Sequence, residues 1–170
     1  MSKKALTKYL KELDKEQLEE QILELYDRLK EVKEFYNFVF NPKEDKMLDE
    51  AKFKIYKEYF PPKGRKPKKR RSVGQNFIKN FVKLGMDPKR VIDLMLYNIE
   101  VALLYNSEKR INQEAFYKSM LRSFRESVAF IDLNSLGSEF NPRLEEIVDQ
   151  IHGQEWENVA AFEEVLNKRF

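Results

Sequence analysis

The sequence predicts an all-α protein: a compact single-domain bundle of seven or eight helices with a central apolar helix. Three observations predict it. Apolar residues recur at spacings of three and four along nearly the whole chain, helix-capping residues mark the boundaries between these stretches, and 170 residues include only five glycines and six prolines. With 42% hydrophobic and 36% charged residues, the chain supplies both a core and a solvated surface. Its length suits one domain, residues 1–170, interrupted by a basic inter-helix linker at 61–72.

Leu6, Leu10 and Leu13 mark a short first helix. Asp14 followed by Gln17 reads as the capping box of a second. Leu18, Ile22, Leu25, Leu29, Val32, Tyr36 and Val39 then form one apolar seam over three heptads. Asn41-Pro42 closes this helix and opens a third, which carries Leu48, Ala51, Ile55 and Tyr59 and stops at Phe60-Pro61-Pro62. The seam is expected to pack against that third helix as an antiparallel hairpin.

Beyond the linker, Ser72 and Gln75 read as a second capping box, and a fourth helix runs through Ile78 and Phe81 to the stop at Gly85. Asp87-Pro88 starts the fifth, apolar on almost every side from Val91 to Leu104, which is therefore expected to be enclosed by the others. The sixth begins near Asn112, with Ile111 and Phe116 as a hydrophobic staple, and Gly137 ends the region. Asn141-Pro142 is expected to open the seventh and His152-Gly153 to stop it; the last helix carries Trp156, Val159, Phe162 and Leu166. No alternating run is long enough for a strand.

The absence of cysteine excludes disulfides and thiolate metal sites. Met1-Ser2-Lys3-Lys4 is not followed by an apolar stretch of signal-peptide length. The most apolar segment, 91–105, contains Asp93 and Glu100 and is too short to span a bilayer. A cytoplasmic protein without a membrane segment is the expectation. The net charge of +3 conceals a strong asymmetry: residues 63–90 hold eleven Lys or Arg against one acid, and residues 139–170 hold three against eight.

Three stretches carry a resemblance: Leu25-Tyr26-Asp27-Arg28 with Lys33-Glu34-Phe35-Tyr36, the linker Tyr59-Phe60-Pro61-Pro62-Lys63-Gly64-Arg65-Lys66-Pro67-Lys68, and Asp93-Leu94-Met95-Leu96-Tyr97. Across most of its length the chain resembles a family of small all-helical bacterial proteins of unknown function. The resemblance implies a bacterial, cytosolic setting and assigns no site residue.

Little in the residues speaks for catalysis. His152 precedes a helix-stop glycine, where an imidazolium interacts favourably with the helix dipole. Asp93 and Glu100 lie seven apart on one helix face; they are either an acid–base or hard-metal pair, or the solvated edge of a buried helix. Gly64 and Gly74 fit no phosphate-binding motif. No enzyme, cofactor or metal site is expected.

The basic linker has more content. Lys63, Arg65, Lys66, Lys68, Lys69, Arg70 and Arg71 place seven cations in nine residues, a density that binds nucleic-acid phosphates through counterion release. The segment is similar to the AT-hook, a minor-groove arm, although Lys66 separates Arg65 from Pro67 in its core tripeptide. The bland alternative is a solvated loop, or one paired with the chain's own acidic end. The functional expectation is a non-enzymatic cytosolic protein-interaction module with a protein partner. The alternative is a nucleic-acid-binding accessory protein using residues 63–71.

Overall fold

The computed structural model describes Ser2 to Lys168. Met1, Arg169 and Phe170, which the sequence reading counts in the N-terminal segment and the acidic end, lie outside the described residues. Among those residues there are nine α-helices and no strand. They are α1 (Lys3–Lys11), α2 (Lys15–Arg28), α3 (Lys30–Phe40), α4 (Glu44–Tyr59), α5 (Arg71–Leu84), α6 (Pro88–Glu108), α7 (Glu114–Leu133), α8 (Gly137–Gly153) and α9 (Val159–Asn167). The expected seven or eight become nine because the second predicted helix is broken at Leu29. By their contacts the helices form two compact units, residues 1–43 and 44–170.

In the first unit, Ser2 caps α1 and the Asp14–Gln17 capping box starts α2. Leu29 is extended, with φ −116° and ψ 114°, and so ends α2 and begins α3. The Tyr26 hydroxyl donates to Asn37 Oδ1 at 3.4 Å. Eleven residues of continuous helix would rise about 16 Å, so α3 folds back beside α2. Likewise Gln21 Nε2 donates to the Tyr9 hydroxyl at 2.7 Å, which brings α1 beside α2. None of the three helices has a fully buried residue. The seam expected to be buried in a hairpin stays exposed at Ile22, Leu25, Leu29 and Val39, between 43% and 49%. The turn at Leu29 splits the stripe that a straight helix would have offered.

In the second unit, α4 buries Leu48, Ala51, Ile55 and Tyr59, a single stripe. α5 contributes Ile78, Phe81 and Leu84 and ends at Gly85, whose φ of 76° is the left-handed conformation that glycine adopts without steric cost. Asp87 caps α6 through the Lys89 N–H, and Pro88 fits the first turn. From Val91 to Asn106, only Asp93, Tyr97, Glu100 and Leu104 of α6 are not buried. The helix packs against α4, α5, α7 and α8, and α9 closes on α7 and α8.

Local corrections have tertiary causes. The N-cap of α5 is Arg70, not Ser72, and no side chain caps it. α8 starts at Gly137 rather than at Pro142, which lies inside the helix. Trp156 precedes α9; it is buried and packs edge-on to Tyr117 and Phe162. Gly74 is needed for a close approach, because a Cβ there would collide with the buried Asn98 side chain of α6.

Leu96→Ala removes a side chain that is 0% exposed and is expected to cost about 2–5 kcal/mol. Gly74→Ala is also expected to destabilise, despite alanine's better helix propensity. Urea unfolding monitored by circular dichroism checks both; unchanged midpoints would refute the packing described.

Candidate functional site

The basic linker is not a free arm. Pro61 and Pro62 end α4 because proline cannot donate the next helical hydrogen bond. The Arg65 N–H then donates to the Pro62 carbonyl at 3.2 Å, in a turn where Gly64 has φ +86°. The chain runs back to the last turn of α4, where carbonyl groups lack partners within the helix. There the amides of Lys68 and Lys69 both donate to the Glu58 carbonyl at 3.0 Å. This convergence requires Lys69 at φ 52°, a left-handed conformation that costs a non-glycine residue about 1–2 kcal/mol.

The Glu58 carboxylate takes the second grip. Arg70 Nε donates to Oε2 at 2.9 Å and Nη2 to Oε1 at 2.8 Å, a bidentate fork, and the Arg70 amide adds a bond of 3.3 Å to Oε2. These hydrogen bonds hold the Glu58 carboxyl below the usual carboxylate range, against the opposing effect of its burial. One residue later, Arg71 Nε donates to Ser123 Oγ and Nη2 to Glu126 Oε2, both at 2.6 Å, tying the start of α5 to α7. Burial lowers the Arg71 pKa, and the Glu126 charge opposes that shift.

The seven candidate cations therefore separate. Arg70 and Arg71 are engaged by the protein's own carboxylates, and the Lys69 ammonium lies 5.5 Å from the centre of the Tyr105 ring. Lys63, Arg65, Lys66 and Lys68 are exposed and make no ion pair among the described residues. Arg65, Lys66 and Lys68 line a cleft of about 360 Å³ together with Lys54 and Lys57 of α4, Glu58, Arg70 and the prolines. Glu58 is the one acid in that lining, and Arg70 already neutralises it. Lys54 and Lys57 escaped the sequence reading because α4 carries balanced charge, so only the contiguous run beyond residue 62 stood out.

The other candidates resolve structurally. Arg143 of α8 bridges Asp93 and Glu100: Nη1 to Asp93 Oδ1 at 2.7 Å, Nε to Glu100 Oε1 at 2.5 Å and Nη2 to Glu100 Oε2 at 2.8 Å. Lys52 of α4 adds 2.6 Å to Asp93 Oδ2. Burial alone would raise the Asp93 pKa; the hydrogen bonds from Lys52 and Arg143 override it and lower it. The pair is thus neither a bare acid–base couple nor a merely solvated edge but one half of an ion-pair cluster. His152 is exposed, with Nδ1 3.3 Å from Glu163 Oε1 on α9. Gly64 serves the linker turn and Gly74 the α5–α6 approach.

Fold and cleft together define an all-helical protein with a cation-lined recess at the end of one helix. Among the described residues no helix is long and apolar enough to cross a membrane. The chain belongs to a family described as a family of unknown function, DUF6155, whose model matches residues 1–170. No curated protein and no solved structure matches it.

The grip of Glu58 has a definite pH dependence. A carboxylate whose folded pKa is depressed stabilises the fold above its unfolded pKa, and that contribution is lost as pH falls through the folded value. The linker is therefore expected to stay anchored at neutral pH and to loosen only as pH falls below the ordinary glutamate range. Glu58→Gln should loosen it at neutral pH as well. Hydrogen exchange at the Arg70 amide and tryptic cleavage after Lys68 read the change; protection unaltered in Glu58→Gln would refute the anchor.

Proposed function

We propose that the protein is a non-enzymatic protein-interaction module of the bacterial cytoplasm, with α1–α3 as its docking arm and α6 as the central strut of the unit that carries the cleft. The observation that supports this reading is the composition of the arm's surface. Its three helices have no fully buried residue, yet Leu23 is 63% exposed, Phe40 82%, and the seam residues Ile22, Leu25, Leu29 and Val39 more than two-fifths. Forty-three residues are few for a self-sufficient core. Large exposed apolar patches mark sites of association. The matching partner presents an apolar face on a helix, whether in another protein or in a second copy of this chain, so that side chains from both interdigitate.

A second reading keeps the linker as a nucleic-acid contact. The observation that favours it is that Lys63, Arg65, Lys66 and Lys68 are exposed and form no ion pair among the described residues, and that Arg65, Lys66 and Lys68 line one cleft with Lys54 and Lys57. Arg70 and Arg71 serve the fold in this reading rather than the phosphates.

Two measurements separate the readings. Leu25→Lys combined with Val39→Lys should abolish self-association seen by light scattering, or weaken at least tenfold the affinity for a purified, identified partner. The far-UV helix signal should not change. A chain that stays monomeric and whose partner ignores these substitutions would overturn the docking arm. Under the second reading, labelled DNA or RNA should bind at low salt and lose about three orders of magnitude in affinity between roughly 50 and 200 mM salt for six phosphate contacts. Absence of binding at low salt would remove that reading.

A further inference from the structure

The cleft beside α4 holds more positive charge than the fold requires. Lys54 and Lys57 of α4 and Arg65, Lys66 and Lys68 of the linker all line it. Arg70 pairs with Glu58, whose charge also attracts Lys68, and the Lys57 ammonium lies 4.7 Å from the centre of the Phe53 ring; the net charge of the lining is +5. Like charges in a concave site repel one another, and a shared anion removes that repulsion. In a mobile loop they would simply move apart. Here the loop is held at both ends, by the Pro61-Pro62 turn and by five hydrogen bonds that residues 68–70 make to Glu58.

Shape narrows the ligand. A recess of about 360 Å³ is at the small end of ligand pockets, which run from roughly 300 to 1,000 Å³. A minor-groove arm must extend from the surface, whereas this segment folds back on α4. Ammonium groups are compact point charges, and the Arg65 fork can engage two oxygens of one phosphoryl group. Secondary support comes from the first turn of α5, which follows Arg70, lacks an acidic residue and has no side-chain cap.

We propose that this cleft is a binding site for a compact anion carrying two or more phosphoryl groups. Inorganic tripolyphosphate and the triphosphate tail of a nucleotide share that chemistry. The site is independent of the docking arm and uses cations that the nucleic-acid reading also invokes, so the test must separate the cleft from an extended backbone.

Calorimetry on the full chain at low ionic strength, with tripolyphosphate, ATP, orthophosphate and short duplex DNA as titrants, makes that separation. Tripolyphosphate should bind one per chain and at least tenfold more tightly than orthophosphate. Equal affinities for tripolyphosphate and ATP would assign recognition to the phosphoryl chain, and tighter ATP binding would identify a nucleotide as the source. Lys54→Gln combined with Lys66→Gln, both at exposed positions, should weaken tripolyphosphate at least tenfold and leave the helix signal unaltered. Lys68→Glu, a second and independent variant, should weaken it further. No binding of either polyphosphate, or binding that both variants leave intact, would overturn the proposal. Duplex binding that both variants weaken, with tripolyphosphate held no more tightly than orthophosphate, would also overturn it and favour the nucleic-acid reading.

Discussion

The burial of α6 is the constraint on which the rest of the second unit depends. From Val91 to Asn106 its unburied positions are 93, 97, 100 and 104, one narrow stripe at helical spacing. A helix with so little surface left for water must be covered by several others, and α4, α5, α7 and α8 do this. The stripe in turn dictates where charge can go. Asp93 and Glu100 lie at its edge, half-buried, where unpaired carboxylates would be strongly disfavoured. Lys52 from α4 and Arg143 from α8 meet them, so the residual polarity of α6 fixes the registration of two neighbouring helices. Whether such clusters add net stability depends on how desolvation compares with attraction; their specificity lies in the cost of mispairing.

Much of this fold was legible wherever a boundary is written in local chemistry. Asp14 with Gln17, Gly85, and Asp87-Pro88 act within four residues of themselves, and each does in the structure what its residue type dictates. The failures all involve distant partners. At Leu29 the apolar phase runs on without glycine or proline, so the sequence carries no mark of the break; the contacts that accompany it are side by side, Tyr26 with Asn37 and with Tyr36. Ser72 offered a better cap than Arg70, but Glu58 holds Arg70 and Glu126 holds Arg71, and these bonds set where α5 begins. Pro142 in α8 shows the same override, since helix packing outweighs one missing hydrogen bond.

The candidate site was legible in its charge but not in its shape. A run of seven cations needs no structure to be noticed. Which of them the protein consumes depends on Glu58, twelve residues from Arg70, and on Glu126, fifty-five from Arg71. Lys54 and Lys57 lie in a helix of balanced charge and carry no mark in the sequence. Only the fold-back of the linker brings them into one lining with Arg65, Lys66 and Lys68. The arm in the first unit was legible as a seam, but its exposure was not, because periodicity reports that a face is apolar and is silent on what covers it.

A single carboxylate thus links the fold to the site. Glu58 supplies both a carbonyl for two backbone amides and a carboxylate for the Arg70 fork, and in doing so converts a basic segment into one wall of a recess. Fixing the loop before any ligand arrives removes the ordering entropy that a mobile arm would lose on binding. Its unfavourable side is electrostatic, since five like charges are kept closer together than a free chain would keep them. That residual repulsion is itself the driving force for an anion, and it is shared among all five cations rather than concentrated on one. Affinity built this way rises with the charge density of the ligand and falls with ionic strength, and it requires no sequence-reading contact at all.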